Sequence, residues 1–385
     1  MLHDGRRCFC TVGVLLFLVS PVLACLWDRD TLEQEKRRFP GALELMTGHF
    51  PRHSAAFYQW RVQDRTQQLA EDPNRKSAYD DLAVAYEKLG EHERAIQIIQ
   101  QKEEKWPGEY ETAANLGTFY VHQGDYEKGI SEIQRAIDIN PDAHFGREIY
   151  QKLLVEYVVS KQVDGELKLP LDAESGVPHQ PHGFAEWVLA SRRVDLANSE
   201  EVSGEITRAQ KGVLGMMRFG HYDSPILLEA LSDLLGSGHD GDAKRLAVRA
   251  LLKASYETKG EVSANYREKA DSALFMQTIS PQKERQLSLK QLEASFQNEL
   301  KAAREWYREL EANEKRWIEQ GLDPEAEFLK FSESYSAPLQ SQSVPGQGKV
   351  GPRQGQGVPA SNWGWGVLGV LIPIALVTGW WFWRR

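Results

Sequence analysis

The chain has 385 residues, of which 41% are hydrophobic and 26% charged, an ordinary globular composition with length for two or three domains. Its formal charge is −9, and with Arg6, Arg7, Lys349, Arg353, Arg384, Arg385 and Asp4 lying outside it, the stretch 25–348 holds 40 basic against 54 acidic residues, a net of −14. That sign argues against nucleic acid and anionic lipid as partners, because both need a basic face.

Residues 1–24 read as a secretory signal. Arg6 and Arg7 form the positive start, Thr11 to Val19 the apolar centre, and Ser20 to Ala24 a small-residue exit. Cleavage after Ala24 would leave Cys25 at the new amino terminus. Val22-Leu23-Ala24-Cys25 resembles a bacterial lipobox with its leucine one place late, so Cys25 is a lipidation candidate beside the alternative of ordinary cleavage. The three cysteines are Cys8, Cys10 and Cys25. Removal of the signal leaves no pair for an intrachain disulfide, and stability must come from packed helices.

From 25 to 75 the chain reads as amino-terminal helices. Phe57, Trp60, Val62, Leu69 and Ala70 make a one-sided apolar stripe that Asp72-Pro73 ends, giving a capping element or a degenerate repeat.

Between 76 and 141 one pattern is written twice. The first copy is marked by Tyr79, Leu82, Ala83, Tyr86, Ala95, Ile99 and Pro107. The second is marked by Ala113, Leu116, Gly117, Tyr120, Gly129, Ile133, Ala136 and Pro141, at a constant offset of 34 residues. Helices are expected at about 76–89, 92–105, 110–123 and 126–139, with glycine turns at Leu89-Gly90 and Gln123-Gly124. The period and the helix–turn–helix pattern resemble the tetratricopeptide repeat. The resemblance implies an α-solenoid that recognises proteins and is not an enzyme. Its concave face should carry Ser77, Asp80, Val84 and Glu87 from the first repeat and Ala114, Asn115, Thr118, Val121 and His122 from the second. The family's carboxylate clamp for chaperone tails needs lysine and asparagine where Asp80 and Val84 stand. Only Asn115 matches, so an acidic or polar groove for a basic or neutral segment is the expectation.

Residues 142–280 read as further helices of degenerate repeat character. One runs from Phe145 to Ser160, and others run at about 184–197 and 201–218, with a pair from Ser224 to Tyr256. Gly212 and Gly215 would admit a close neighbouring helix, and Met216 and Met217 would fill irregular gaps. The loop 161–182 carries His179 and His182, too few donors for a zinc site, so no metal or other cofactor is expected. A hydrolase or metal enzyme using His179, His182, His221 and Asp223 is the alternative of another class; no nucleophile elbow, phosphate loop or HExxH helix accompanies them.

Residues 281–320 form a long amphipathic helix. Leu289, Leu292, Phe296, Leu300, Ala303, Tyr307, Leu310 and Trp317 make a heptad-like seam that breaks at Glu314. Two outcomes fit: self-association into a structural oligomer, or packing back along the solenoid, which the seam's aromatics favour. From 333 to 362 a Ser, Pro, Gly and Gln composition predicts a flexible stalk. Residues 363–383 carry no charge and have tryptophans 363, 365, 380, 381 and 383 at the two ends, followed by Arg384-Arg385. This predicts a transmembrane helix with a cytoplasmic carboxyl end and the body outside the cytoplasmic membrane. The same arrangement resembles bacterial sorting signals, although no recognition motif precedes the span. The sequence thus predicts an all-α chain: a tetratricopeptide-like solenoid, a long carboxyl-terminal helix, a stalk and one membrane span, with a protein or peptide partner.

Overall fold

A computed structural model of the chain describes residues 26–29, 39–172, 180–238, 240–277 and 288–335. The described residues fold into helices α1 (Ala42–Thr47), α2 (Ala55–Glu71), α3 (Lys76–Lys88), α4 (His92–Lys105), α5 (Tyr110–Gln123), α6 (Tyr126–Ile139), α7 (Arg147–Ser160), α8 (Gly183–Ser191), α9 (Ser199–Phe219), α10 (Pro225–Gly236), α11 (Gly241–Glu257), α12 (Gly260–Gln277), α13 (Leu289–Glu319) and α14 (Pro324–Ser334). A short 3₁₀ turn, Ala143–Gly146, leads into α7. No strand occurs among them beyond the isolated bridge Val163–Glu166. The predicted signal, Cys25, the stalk and the apolar stretch 363–383 lie outside the described residues. Among the described residues no helix is long and apolar enough to cross a membrane.

Helices α3 to α6 are the two repeats, and consecutive helices pack on each other. The turns close as the sequence predicts: Gly124 takes a left-handed φ of 89° and its N–H bonds the Tyr120 and Val121 carbonyls. The pair α5–α6 is unusually close. A Cβ on Gly117 would lie 2.6 Å from Ile133 Cγ1, and one on Gly129 would lie 2.5 Å from Val121 Cγ2. The small repeat positions are therefore needed for interhelix contact.

The same device recurs where α9 meets α7. A Cβ on Gly212 would come within 2.8 Å of Tyr150, and one on Gly215 within 2.6 Å of Arg147, while Met216 and Met217 are fully buried. Boundaries shift locally: the helix expected at 184–197 ends at Ser191, after which Arg193 adopts a left-handed φ of 54°.

The long helix packs back on its own chain. Leu292, Phe296 and Leu300 join the main core with α10, α11 and α12, and the helix also contacts α1 and α2, which precede the repeats. Ser288 caps it in a reciprocal box with Gln291; residues 281–287 of the expected helix lie outside the described residues. The break in its seam has a physical cause. Glu314, fully buried, accepts from the Ser54 N–H at 2.7 Å and pairs with His53 Nδ1 at 2.5 Å.

Helix α14 was not expected from the sequence. Its signal is Asp323-Pro324: the carboxylate accepts from the Glu325 and Ala326 N–H groups, and proline takes the first helical position.

Candidate binding site on the concave face of the repeats

The inner faces of α3 and α5 form the site. Of the residues expected to line it, Ser77 is exposed. Asp80, Val84, Glu87, Ala114, Asn115, Thr118 and His122 are buried beneath other parts of the chain, whereas Val121 is buried against Gly129 of α6 and so does not line the groove as expected. The carboxylates do not make an open acidic groove. Asp80 is gripped by Lys102 Nζ at 2.7 and 2.9 Å; burial pushes its carboxyl up to about 7 while that ammonium pulls the other way. Gln151 of α7 donates to the Thr118 hydroxyl at 3.1 Å.

Residues 26–29 of the same chain lie in the groove. Asn115 holds the main chain of Trp27 with both ends of its amide: the Trp27 N–H donates to Oδ1 at 2.8 Å, and Nδ2 donates to the Trp27 carbonyl at 3.0 Å. The Arg29 N–H donates to Asp81 Oδ1 at 3.1 Å. The Trp27 ring meets Tyr110 edge to face at 5.5 Å, and Leu26 packs with Val84, Leu116 and Phe119. Asp28 is buried against Arg61 at 3.1 Å. A side-chain amide that satisfies both polar groups of one residue holds main chain without regard to its side chain, and the flanking pockets then select sequence.

Beyond Val84 the face carries a dense set of polar side chains. Lys88 Nζ donates to the Phe219 and Gly220 carbonyls, each at 2.7 Å, and burial lowers its pKa to about 8. Glu87 joins His92 through Oε2 at 2.9 Å and also bonds His122 through Oε1. The His221 ring stands 5.8 Å from that of His122; burial and Lys88 hold its pKa well below the usual imidazole value. A cavity of about 210 Å³ opens beside this set, with Arg52, Asp28, Tyr222 and Asp223 in its wall.

The histidines of the enzyme alternative fall in different surroundings. His221 and Asp223 line this cavity, whereas His182 precedes α8 with Nε2 3.6 Å from Asp233 Oδ1; His179 is outside the described residues. Asp233 belongs to a buried network in which Glu229 Oε1 accepts from Lys269 at 2.8 Å and Oε2 accepts from Tyr266 at 2.8 Å. Glu229 also accepts from the Leu171 and Asp172 N–H groups, which fixes the loop before α8.

Sequence reasoning missed Asp81, Arg61, Arg65, His92 and Glu325. The last is hundreds of residues from its partners, and no periodicity could have found it. His92 could have been found, since it opens the helix directly after the turn that follows Glu87.

Residues 77–101 and 110–143 match the tetratricopeptide repeat family model. No curated protein matches the chain. The twin pattern is a pair of tetratricopeptide repeats within an all-helical fold.

Proposed function

We propose that this chain is a non-enzymatic scaffold that grips an extended protein segment in the groove of its repeats, displayed outside the cytoplasmic membrane on the 363–383 anchor. Tetratricopeptide repeats typically mediate protein–protein interaction. The observation that carries the reading further is the Asn115 clamp on the Trp27 main chain. The groove already accommodates a segment, here one from the same chain, and a partner would displace it. The exported location is supported by the signal-like residues 1–24 and the arginines after the apolar stretch.

The test is crosslinking of the full-length protein in its native membrane, comparing wild type with Asn115→Ala and Trp27→Ala. Charge insertions such as Asp80→Lys or Thr118→Arg are poor probes, because both sites are buried and Lys102 already faces Asp80. A partner whose yield changes several-fold in the two variants is expected. An unchanged set of partners would overturn the groove as the binding face, and protease accessibility of the body from the cytoplasmic side would overturn the location.

A further inference from the structure

Glu87, His92 and His122 come from three helices: the last turn of α3, the first residue of α4 and the last turn of α5. One ligand atom from each lies within 4.8 Å of the other two. The Glu87 and His122 side chains are fully buried, and that of His92 is 29% exposed. Glu87 bridges the two imidazoles through their Nδ1 atoms. His122 Nε2 is buried with no hydrogen-bond partner among the described residues.

We propose that these three side chains bind one divalent first-row transition ion, best matched to zinc. Two imidazoles and a carboxylate are the donor set such an ion prefers, and imidazole nitrogen disfavours magnesium and calcium. The spacing is close to what coordination needs. With zinc–nitrogen bonds of about 2.0–2.1 Å, ligand atoms sit roughly 3.3 Å apart, and two imidazoles on one tetrahedral ion have ring centres about 5 Å apart. The His92 and His122 rings stand 6.0 Å apart, so contraction by about an ångström completes the set. The ion replaces the protons that now join Glu87 to its two histidines. His221, 5.8 Å ring to ring from His122, is a further imidazole nearby.

The consequence is mechanical. The ion fastens the turn of the first repeat to the end of the first helix of the second, a cross-link that is absent from the unfolded state.

The test uses the purified full-length protein in detergent, stripped with chelator and titrated with Zn²⁺ against a chromophoric competitor, then with Co²⁺. One equivalent is expected to bind with micromolar or tighter affinity and to raise the melting temperature. Co²⁺ should give the intense visible bands of a tetrahedral nitrogen–oxygen site. His92→Ala lies at the partly exposed edge, so it should fold with the melting temperature of the metal-free wild type and bind about tenfold or more weakly. Glu87→Gln should lose the cobalt bands. Absence of saturable binding would overturn the site. So would wild-type affinity in His92→Ala, or several weak equivalents indifferent to both substitutions.

Discussion

Glu314 shows how a single polar residue can be structural where a heptad seam expects an apolar one. Its carboxylate accepts from the Ser54 N–H and His53, on which the Phe57 ring stacks at 3.5 Å between centroids and the Phe328 ring packs at 3.8 Å. Glu314→Ala removes the carboxylate that the buried Ser54 N–H donates to and that pairs with His53 Nδ1, inside an aromatic cluster. The expected cost is about 3 kcal/mol, read as a lower urea midpoint at unchanged slope. A change below about 0.5 kcal/mol would mean that water replaces the carboxylate. At this scale the sequence was a partial guide. It marked Glu314 as a break in the seam and Asn115 as the one residue matching the repeat's clamp. It could not say that Asp80 and Glu87 are neutralised in place, because their partners, Lys102, His92 and His122, follow from which helix faces which.

The elements were the most legible level, since a repeat period and glycine punctuation both act locally. The four repeat helices fall within a residue or so of their expected ends. Helix α14 was missed because only Asp323-Pro324 announces it, in a stretch with little apolar periodicity. Glycine positions separate two physical roles that look alike in sequence. Gly117 faces Ile133 with no room for a methyl group, its backbone N lying 2.9 Å from where a Cβ would stand. Gly204 sits inside α9 with Arg208 Nη1, the flexible end of a side chain, at 3.6 Å from its Cβ position. Gly117→Ala should therefore destabilise by about 1–3 kcal/mol through forced separation of α5 and α6. Gly204→Ala should stabilise by roughly 0.5–1 kcal/mol by lowering the entropy of the unfolded chain. Both are measured by denaturant unfolding. Equal effects of the two substitutions would refute the close-packing account of α5 and α6.

At the scale of the whole molecule the chain closes on itself through one carboxylate. Glu325, at the start of α14, accepts from Arg61 Nε and Nη2 at 3.1 and 2.8 Å, from Arg65, and from Arg29 at 2.9 Å. Asp28 and Asp81 complete the set by binding Arg61 and Arg65 from the other side. Opposing carboxylates outweigh desolvation and hold the Arg65 guanidinium's pKa above its ordinary value. The last described helix, the helix before the repeats and the segment lying in the groove thus share one buried ion network. Arg61 is fully buried, so salt should screen this network little. Glu325→Ala removes the carboxylate shared by the Arg61 and Arg65 guanidinium groups and leaves Arg61 to Asp28 and Arg65 to Asp81 and Asp64, and the expected loss is about 3 kcal/mol. Its distinguishing sign is spatial. Amide exchange should quicken together at residues 26–29 and along α2, although Arg29 and Arg61 lie 296 and 264 positions from the substitution, while the α5–α6 contact keeps its protection. If exchange quickens only in α14, the network is a local clasp and the groove segment is held by its contacts with the repeats. If all three regions respond, occupancy of the groove is coupled to the docking of the carboxyl-terminal helices, and a partner that displaces residues 26–29 would loosen α14 as it binds.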